Sequence, residues 1–182
     1  MGNPTIDYAS LAKSLASAPA DTLNTTIVES LFDDKISMAF LFLGFICLYI
    51  VDEKKDEIHL MAASGTEQYR LAIERYNFKP SEFHLHFDTD KNNTIVKAIS
   101  SGKPQFTTDW LTLSRKHKSA DVVRLNQANS GIAYTAVYPF TSKVRGALMY
   151  NFYQYPEQIG NIQHDFMKRY TKLASSYLSQ PA

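Results

Sequence analysis

Apolar residues near the start of the chain recur every three or four positions: Tyr8, Leu11 and Leu15, then Leu23, Ile27, Val28 and Leu31. That spacing lays a stripe along one side of a helix. The breaker-rich SAPAD, Ser17 to Asp21, interrupts it, so helix, break, helix is expected, with Asp21 as the N-cap accepting the free amides of the second helix. ISMAFLFLGFICLYIV, Ile36 to Val51, is then almost wholly apolar. It falls short of the about 20 apolar residues that span a bilayer. A buried element is expected instead, with helix giving way to strand between Met38 and Leu43.

The period then changes. The charged run Asp52 to Asp56 separates the apolar stretch from IHLMAAS and reads as a hairpin loop between antiparallel strands. Thr66 to Lys79 has no clean period and reads as a loop with some helix, closed by Pro80. FHLHF, Phe83 to Phe87, alternates as a short strand before the turn-rich DTDKNN. TIVKAIS is a short helix, with asparagines in front and Gly102 and Pro104 behind. QFTT is a brief strand, and Ser114 to Asn129 is polar, basic and partly helical. Gly131 to Phe140 and Val144 to Tyr153 pair as a hairpin about Thr141, Ser142 and Lys143. Ile159, Ile162, Phe166, Tyr170, Leu173 and Tyr177 mark a long amphipathic C-terminal helix. Sequential hairpins with helices at both ends predict an α+β domain built on one antiparallel sheet whose faces are covered by helices.

Composition narrows the function classes. The 182 residues include 19 basic and 18 acidic side chains, so no net field draws in nucleic acid or an anionic membrane, and neither is expected as a partner. The dense basic run Arg115 to Lys118 reads as a solvated face. The lone cysteine, Cys47, can form no intrachain disulfide, and no secretory signal opens the chain, which fits a cytoplasmic protein.

Motifs for chemistry are weak. Gly102-Lys103 fails as a phosphate loop, because proline follows the lysine and the helix precedes the glycine. His84 and His86 share a strand face, but two imidazoles are too few for a metal set and no acid or cysteine nearby completes one, so no metal is expected. Ser10-Leu11-Ala12-Lys13 has Ser-x-x-Lys spacing without its companion elements. His164-Asp165 lacks a nucleophile. No catalytic set emerges, and no cofactor is assigned.

Three strings, LYIVDEKKDEIHLMAASG (Leu48 to Gly65), TIVKAISSGKPQFTTDW (Thr94 to Trp110) and IAYTAVYPFTSKVRGALMYNFY (Ile132 to Tyr153), stand in an order that resembles the GAF domain, a sensory module of signalling proteins. The resemblance divides the chain into an N-terminal helical extension, 1–20, and one GAF-like domain, 21–180. It implies a sheet of about six antiparallel strands, with the N- and C-terminal helices on one face and a small-molecule pocket on the other, beside the short helix and variable connections. Carried over, the pocket residues are Phe83, Leu85, Phe87, Ile95, Asp109, Trp110 and Tyr134, of which Trp110 and Tyr134 either touch a ligand or fill the core.

The function implied is a non-catalytic sensory or regulatory domain that binds a small cytoplasmic ligand or forms a homodimer through its terminal helices, by a flank including Met167, Ala174 and Leu178. The phosphodiesterase-type Asn-Lys-x-Phe-x-x-x-Asp-Glu signature and a bilin-attaching cysteine are missing from the sequence. Two alternatives stand beside this reading. One is a redox enzyme like the branch of the family that reduces free methionine sulfoxide, using Cys47; the other is a membrane-associated protein using Ile36 to Val51.

Overall fold

The computed structural model describes residues 6–33, 39, 41–74, 82–114 and 119–179. Helices α1 (Tyr8–Ser17) and α2 (Leu23–Glu29) lead into strands β1 (Leu43–Asp52) and β2 (Glu57–Ala63). Helix α3 (Glu67–Ile73), strand β3 (His84–His86), helix α4 (Thr94–Ser101) and strand β4 (Gln105–Thr107) follow. A 3-10 turn at Trp110–Thr112 precedes helix α5 (Ala120–Ser130), strands β5 (Tyr134–Pro139) and β6 (Gly146–Phe152), and helix α6 (Asn161–Leu178). The strands form one sheet of six in the order β3-β2-β1-β6-β5-β4, with every adjacent pair antiparallel.

Strand alternation sorts the apolar residues into two cores, one on each face. Ile46 and Leu48 of β1, Leu148 and Tyr150 of β6, and Tyr134 and Tyr138 of β5 pack against α1, α2 and α6 through Leu15, Ile27, Phe166 and Tyr170. Phe45, Cys47 and Tyr49 of β1, with Ala147 and Met149 of β6, pack on the other face against α3, α4 and α5 through Ala72, Ile95, Ile99 and Val123. The middle strands β1 and β6 are buried on both faces, which is why their sequences are apolar without a break. Two buried hydrogen bonds tie the terminal helices down. Tyr170 donates to the Ile27 carbonyl at 2.6 Å, and the Tyr150 and Thr171 hydroxyls meet at 2.8 Å.

Local signals account for several element ends. Asp7 caps α1 by accepting from the Ala9 and Ser10 amides, and Asn93 caps α4 by accepting from the Ile95 amide. Gly102 ends α4 at φ 64°, the left-handed region where a side chain is unfavourable. The Gly102-Lys103 dipeptide is therefore a helix stop.

Two expectations need correction, and two others gain definition. Asp21 lies in the turn between α1 and α2, and the N-cap of α2 is Thr22, whose side chain makes no capping bond. The stretch after Thr66 contains a defined helix, α3, capped where Thr66 accepts from the Tyr69 amide; residues 75–81 of that stretch lie outside those described. Met167 and Ala174 are fully buried against the chain's own sheet, so they cannot form a dimer seam. Leu43 to Val51, the second half of the run weighed as a membrane segment, belongs to the central strand β1. Among the described residues no helix is long and apolar enough to cross a membrane. The basic run 115–118 lies outside the described residues.

Packing leaves no room for a side chain where β6 begins. A Cβ built on Gly146 would stand 2.4 Å from the Tyr49 carbonyl oxygen and 2.9 Å from the Phe140 ring, and the first of these is backbone that cannot swing away. Gly146→Ala is therefore expected to lower stability by about 1–3 kcal/mol or more, as overpacking does. Urea denaturation followed by circular dichroism checks this, and an unchanged midpoint would contradict it.

Candidate functional site

A cavity of about 260 Å³ lies between the sheet and the helices of the second core. Its floor is Phe45, Cys47 and Tyr49 of β1, Leu60 of β2 and Met149 of β6. Tyr69, Ala72 and Ile73 of α3 form one wall, Glu82 and Phe83 a second, and Trp110, Leu113 and Ser114 a third. The floor follows from alternation along β1, since every second residue from Phe45 faces this side. Aromatic rings meet around it: Trp110 stands edge-on to Phe45 with centroids 6.1 Å apart, Tyr69 is 5.5 Å from Phe45, and Phe83 is 6.0 Å from Tyr49.

A buried polar chain holds Trp110 in place. Its indole N–H donates to Thr135 Oγ1 at 3.0 Å, the Thr135 hydroxyl donates to Asn151 Oδ1 at 2.7 Å, and Asn151 Nδ2 donates to the Phe45 carbonyl at 3.4 Å. Gln127 of α5 fixes the backbone of the same segment, accepting from the Trp110 amide at 3.1 Å and donating to the Thr108 carbonyl at 2.8 Å. Sequence reasoning missed Gln127, Thr135 and Asn151. Thr135 and Asn151 are polar residues inside β-rich runs, the one local sign that they face a partner in the interior.

The cavity's polar atoms are few. Burial pushes the Cys47 thiol well above the usual range, so it is protonated at neutral pH. Burial, with a lesser contribution from Cys47, likewise raises the Tyr69 phenol, and among the described residues its buried hydroxyl has no hydrogen-bond partner. Among the described residues Glu82 is the one charged member of the lining, and no lysine, arginine or histidine belongs to it.

Of the residues singled out from sequence, Phe83 and Trp110 line the cavity. Leu85 and Ile95 are buried in the surrounding core without lining it, and Phe87 packs at its margin under the Arg145 guanidinium, 4.8 Å from the ring centroid. Asp109 is exposed and caps the 3-10 turn, accepting from the Leu111 amide at 2.9 Å, so it sets the direction in which Trp110 enters. Tyr134 lies on the other face of the sheet, in the core of the terminal helices, stacked on Phe106. The residues of β5 that turn to the cavity's side are Thr135 and Val137. The helix against the cavity is α3, whereas α4 packs on β4, β5 and β6.

His84 and His86 also have a neighbour that sequence proximity did not show. Pairing of β2 with β3 sets Glu57 opposite His86 and His59 opposite His84. An acid does stand beside the histidine pair, contrary to expectation.

No family model matches the chain, and no curated protein matches it in sequence. Solved structures do match in shape. The chain superposes on the GAF domain of an Acinetobacter phosphoenolpyruvate-protein phosphotransferase with a TM-score of 0.61 and 13% identity, over 94% of this chain and 89% of that one. Against residues 122 to 287 of a methyl-accepting chemotaxis protein the TM-score is 0.60 at 15% identity, over 92% and 94%. The chain has the GAF fold. It also superposes on the reduced form of fRMsr from Staphylococcus aureus, with a TM-score of 0.52 at 15% identity over 97% of each chain. At such identities the likeness is one of architecture, and the GAF cavity here must be read from its own side chains.

Thr135→Val keeps the shape and leaves the Trp110 indole N–H and Asn151 Oδ1 without their partner. A loss of about 1–3 kcal/mol is expected, as for buried polar groups left unsatisfied. Urea unfolding monitored by fluorescence of Trp110, the chain's single tryptophan, measures it; a loss below about 0.5 kcal/mol would mean that the polar chain does not hold the wall.

Proposed function

We propose that this protein is a non-catalytic sensory or regulatory GAF domain of the cytoplasm, and that its cavity binds a small, neutral, mostly apolar molecule carrying one hydrogen-bond acceptor. The observation that carries the proposal is the lining itself: aromatic and aliphatic walls that include Tyr69, whose buried hydroxyl has no partner among the described residues. Leaving such a group unsatisfied costs about 1–3 kcal/mol, which a ligand acceptor would recover once the Tyr69 side chain turns its hydroxyl into the cavity. A space of about 260 Å³ is at the small end for organic ligands, which suits one or two rings.

Occupancy would be passed on through α3. Its Thr66 cap follows Gly65, whose amide donates to Glu29 Oε1 at 2.6 Å at the end of α2. A ligand that settles α3 against the sheet thereby also bears on the terminal-helix layer, and shifts the balance between two arrangements of it. The neighbours in chemotaxis and phosphotransferase proteins support a regulatory setting.

One neighbour, fRMsr, is an enzyme, and the Cys47 alternative rests on that likeness. A thiol nucleophile needs its thiolate, which a cation or an adjacent base would favour. Among the described residues no cation lines the cavity beside Cys47, and burial holds it protonated. Native protein at pH 8 is expected to leave Cys47 unmodified by Ellman's reagent until denaturant is added. Fast modification of the folded chain, with methionine sulfoxide turnover lost in Cys47→Ser, would restore the redox reading.

Saturation-transfer NMR with acetophenone and ethylbenzene tests the acceptor. Acetophenone is expected to bind the more tightly, by about 5- to 10-fold for one hydrogen bond of about 1 kcal/mol, and Tyr69→Phe to abolish the difference. Equal binding of both probes would remove Tyr69 as the anchor. If neither probe binds and native mass spectrometry of protein from its own host shows no retained molecule, the ligand-binding proposal fails.

A further inference from the structure

On the face of the sheet opposite the cavity, at its β2–β3 edge, three histidines and a carboxylate converge. Ile58 and Leu85 point into the second core, so the alternating neighbours Glu57, His59, His84 and His86 point the other way. One ligand atom from each of Glu57, His84 and His86 lies within 4.8 Å of the other two. The set is only partly shielded, with Glu57 19% and His86 38% exposed, so a hydrated ion can reach it.

From these contacts we infer a binding site for a divalent transition-metal ion of the zinc type, ligated by Glu57, His84 and His86 with water completing the sphere. Two imidazoles and a carboxylate are a donor set suited to such an ion, and three protein ligands plus water is a known coordination for zinc. The surrounding contacts match what metal ligands need. His84 Nδ1 is 3.0 Å from the Glu82 carbonyl, and donating there leaves Nε2 as the free lone pair. His59 Nε2 stands 3.0 Å from Glu57 Oε2, close enough for an ion pair though not aligned as a hydrogen bond, while Oε1 faces His86 Nδ1 at 3.7 Å. Ligand atoms about an ion with bonds of about 2.0–2.1 Å stand about 3.4 Å apart, so the three must draw in by roughly an ångström, which χ rotation of partly exposed side chains supplies.

The consequence reaches the cavity. His84 and His86 are the ends of β3, and Phe83, next to His84, is a cavity wall. An ion bridging Glu57 of β2 to β3 would clamp this short edge strand and hold Phe83 against Tyr49. This inference does not depend on any ligand occupying the cavity.

Isothermal titration of the full, untagged chain with zinc chloride tests it. One ion per chain is expected, with a dissociation constant in the micromolar range. His84→Ala and Glu57→Gln should each weaken binding about 10-fold or more, while both keep the circular dichroism spectrum of the parent. His164→Gln, on α6, should bind as the parent does. If a variant fails to fold, visible absorption of the parent loaded with cobalt(II) replaces it: intense bands mark a low-coordinate site with nitrogen ligands, and the pale spectrum of the aquo ion marks none. No stoichiometric heat from the parent, a pale cobalt spectrum, or unchanged affinity in both folded variants would overturn the site.

Discussion

The structure depends on burying β1 and β6 on both of their faces. Neither face of the middle pair can be left to water, because Ile46, Leu48 and Tyr150 point one way and Phe45, Cys47 and Met149 the other. A helical layer is therefore required on each side. Burying an apolar side chain of this size contributes about 1.5–3 kcal/mol, so the middle strands hold both layers in place at once. The close approach at Gly146 is the same constraint in backbone form, since β6 passes Tyr49 and Phe140 with no room for a methyl group.

The two layers differ in how they are fastened. The terminal helices close over their core with large aromatic side chains whose hydroxyls are satisfied, as Tyr170 and Tyr150 illustrate. On the other side, Trp110 is held by a line of polar groups running through Thr135 and Asn151 to Phe45. Space remains between that line and α3. A layer that the described side chains do not fill, and that includes a buried hydroxyl lacking a partner among them, is the less settled of the two, and it is the one with room for something else.

What could be read in the sequence was what local chemistry fixes. The stop at Gly102 and Pro104, the asparagine in front of α4 and the final hairpin all depend on residues a few positions apart, and each stands where expected. Phe83 and Leu85 fell on the correct side because strict alternation runs through β3. The same argument failed on β5. Ile132, just ahead of the strand, faces the second core, but the strand begins only at Tyr134, so counting by twos from Ile132 put Tyr134 on the wrong side. Helix α3 was obscured because Leu71 stands outside the short apolar face of Tyr69, Ala72 and Ile73 that reaches the cavity, so the run shows no clean period. Glu57 could not be linked to His84 and His86 without the register of β2 on β3, which no local spacing encodes.

The sheet ends on both sides in strands of three residues, His84–His86 and Gln105–Thr107. Open edges invite other chains to add a strand, and a long flat one is a template for aggregation. Edges this short offer few free amides and carbonyls in line, and one of them is studded with imidazoles. The fold can therefore sit at high local concentration, or beside other sheets in a larger assembly, with little tendency to grow by strand addition.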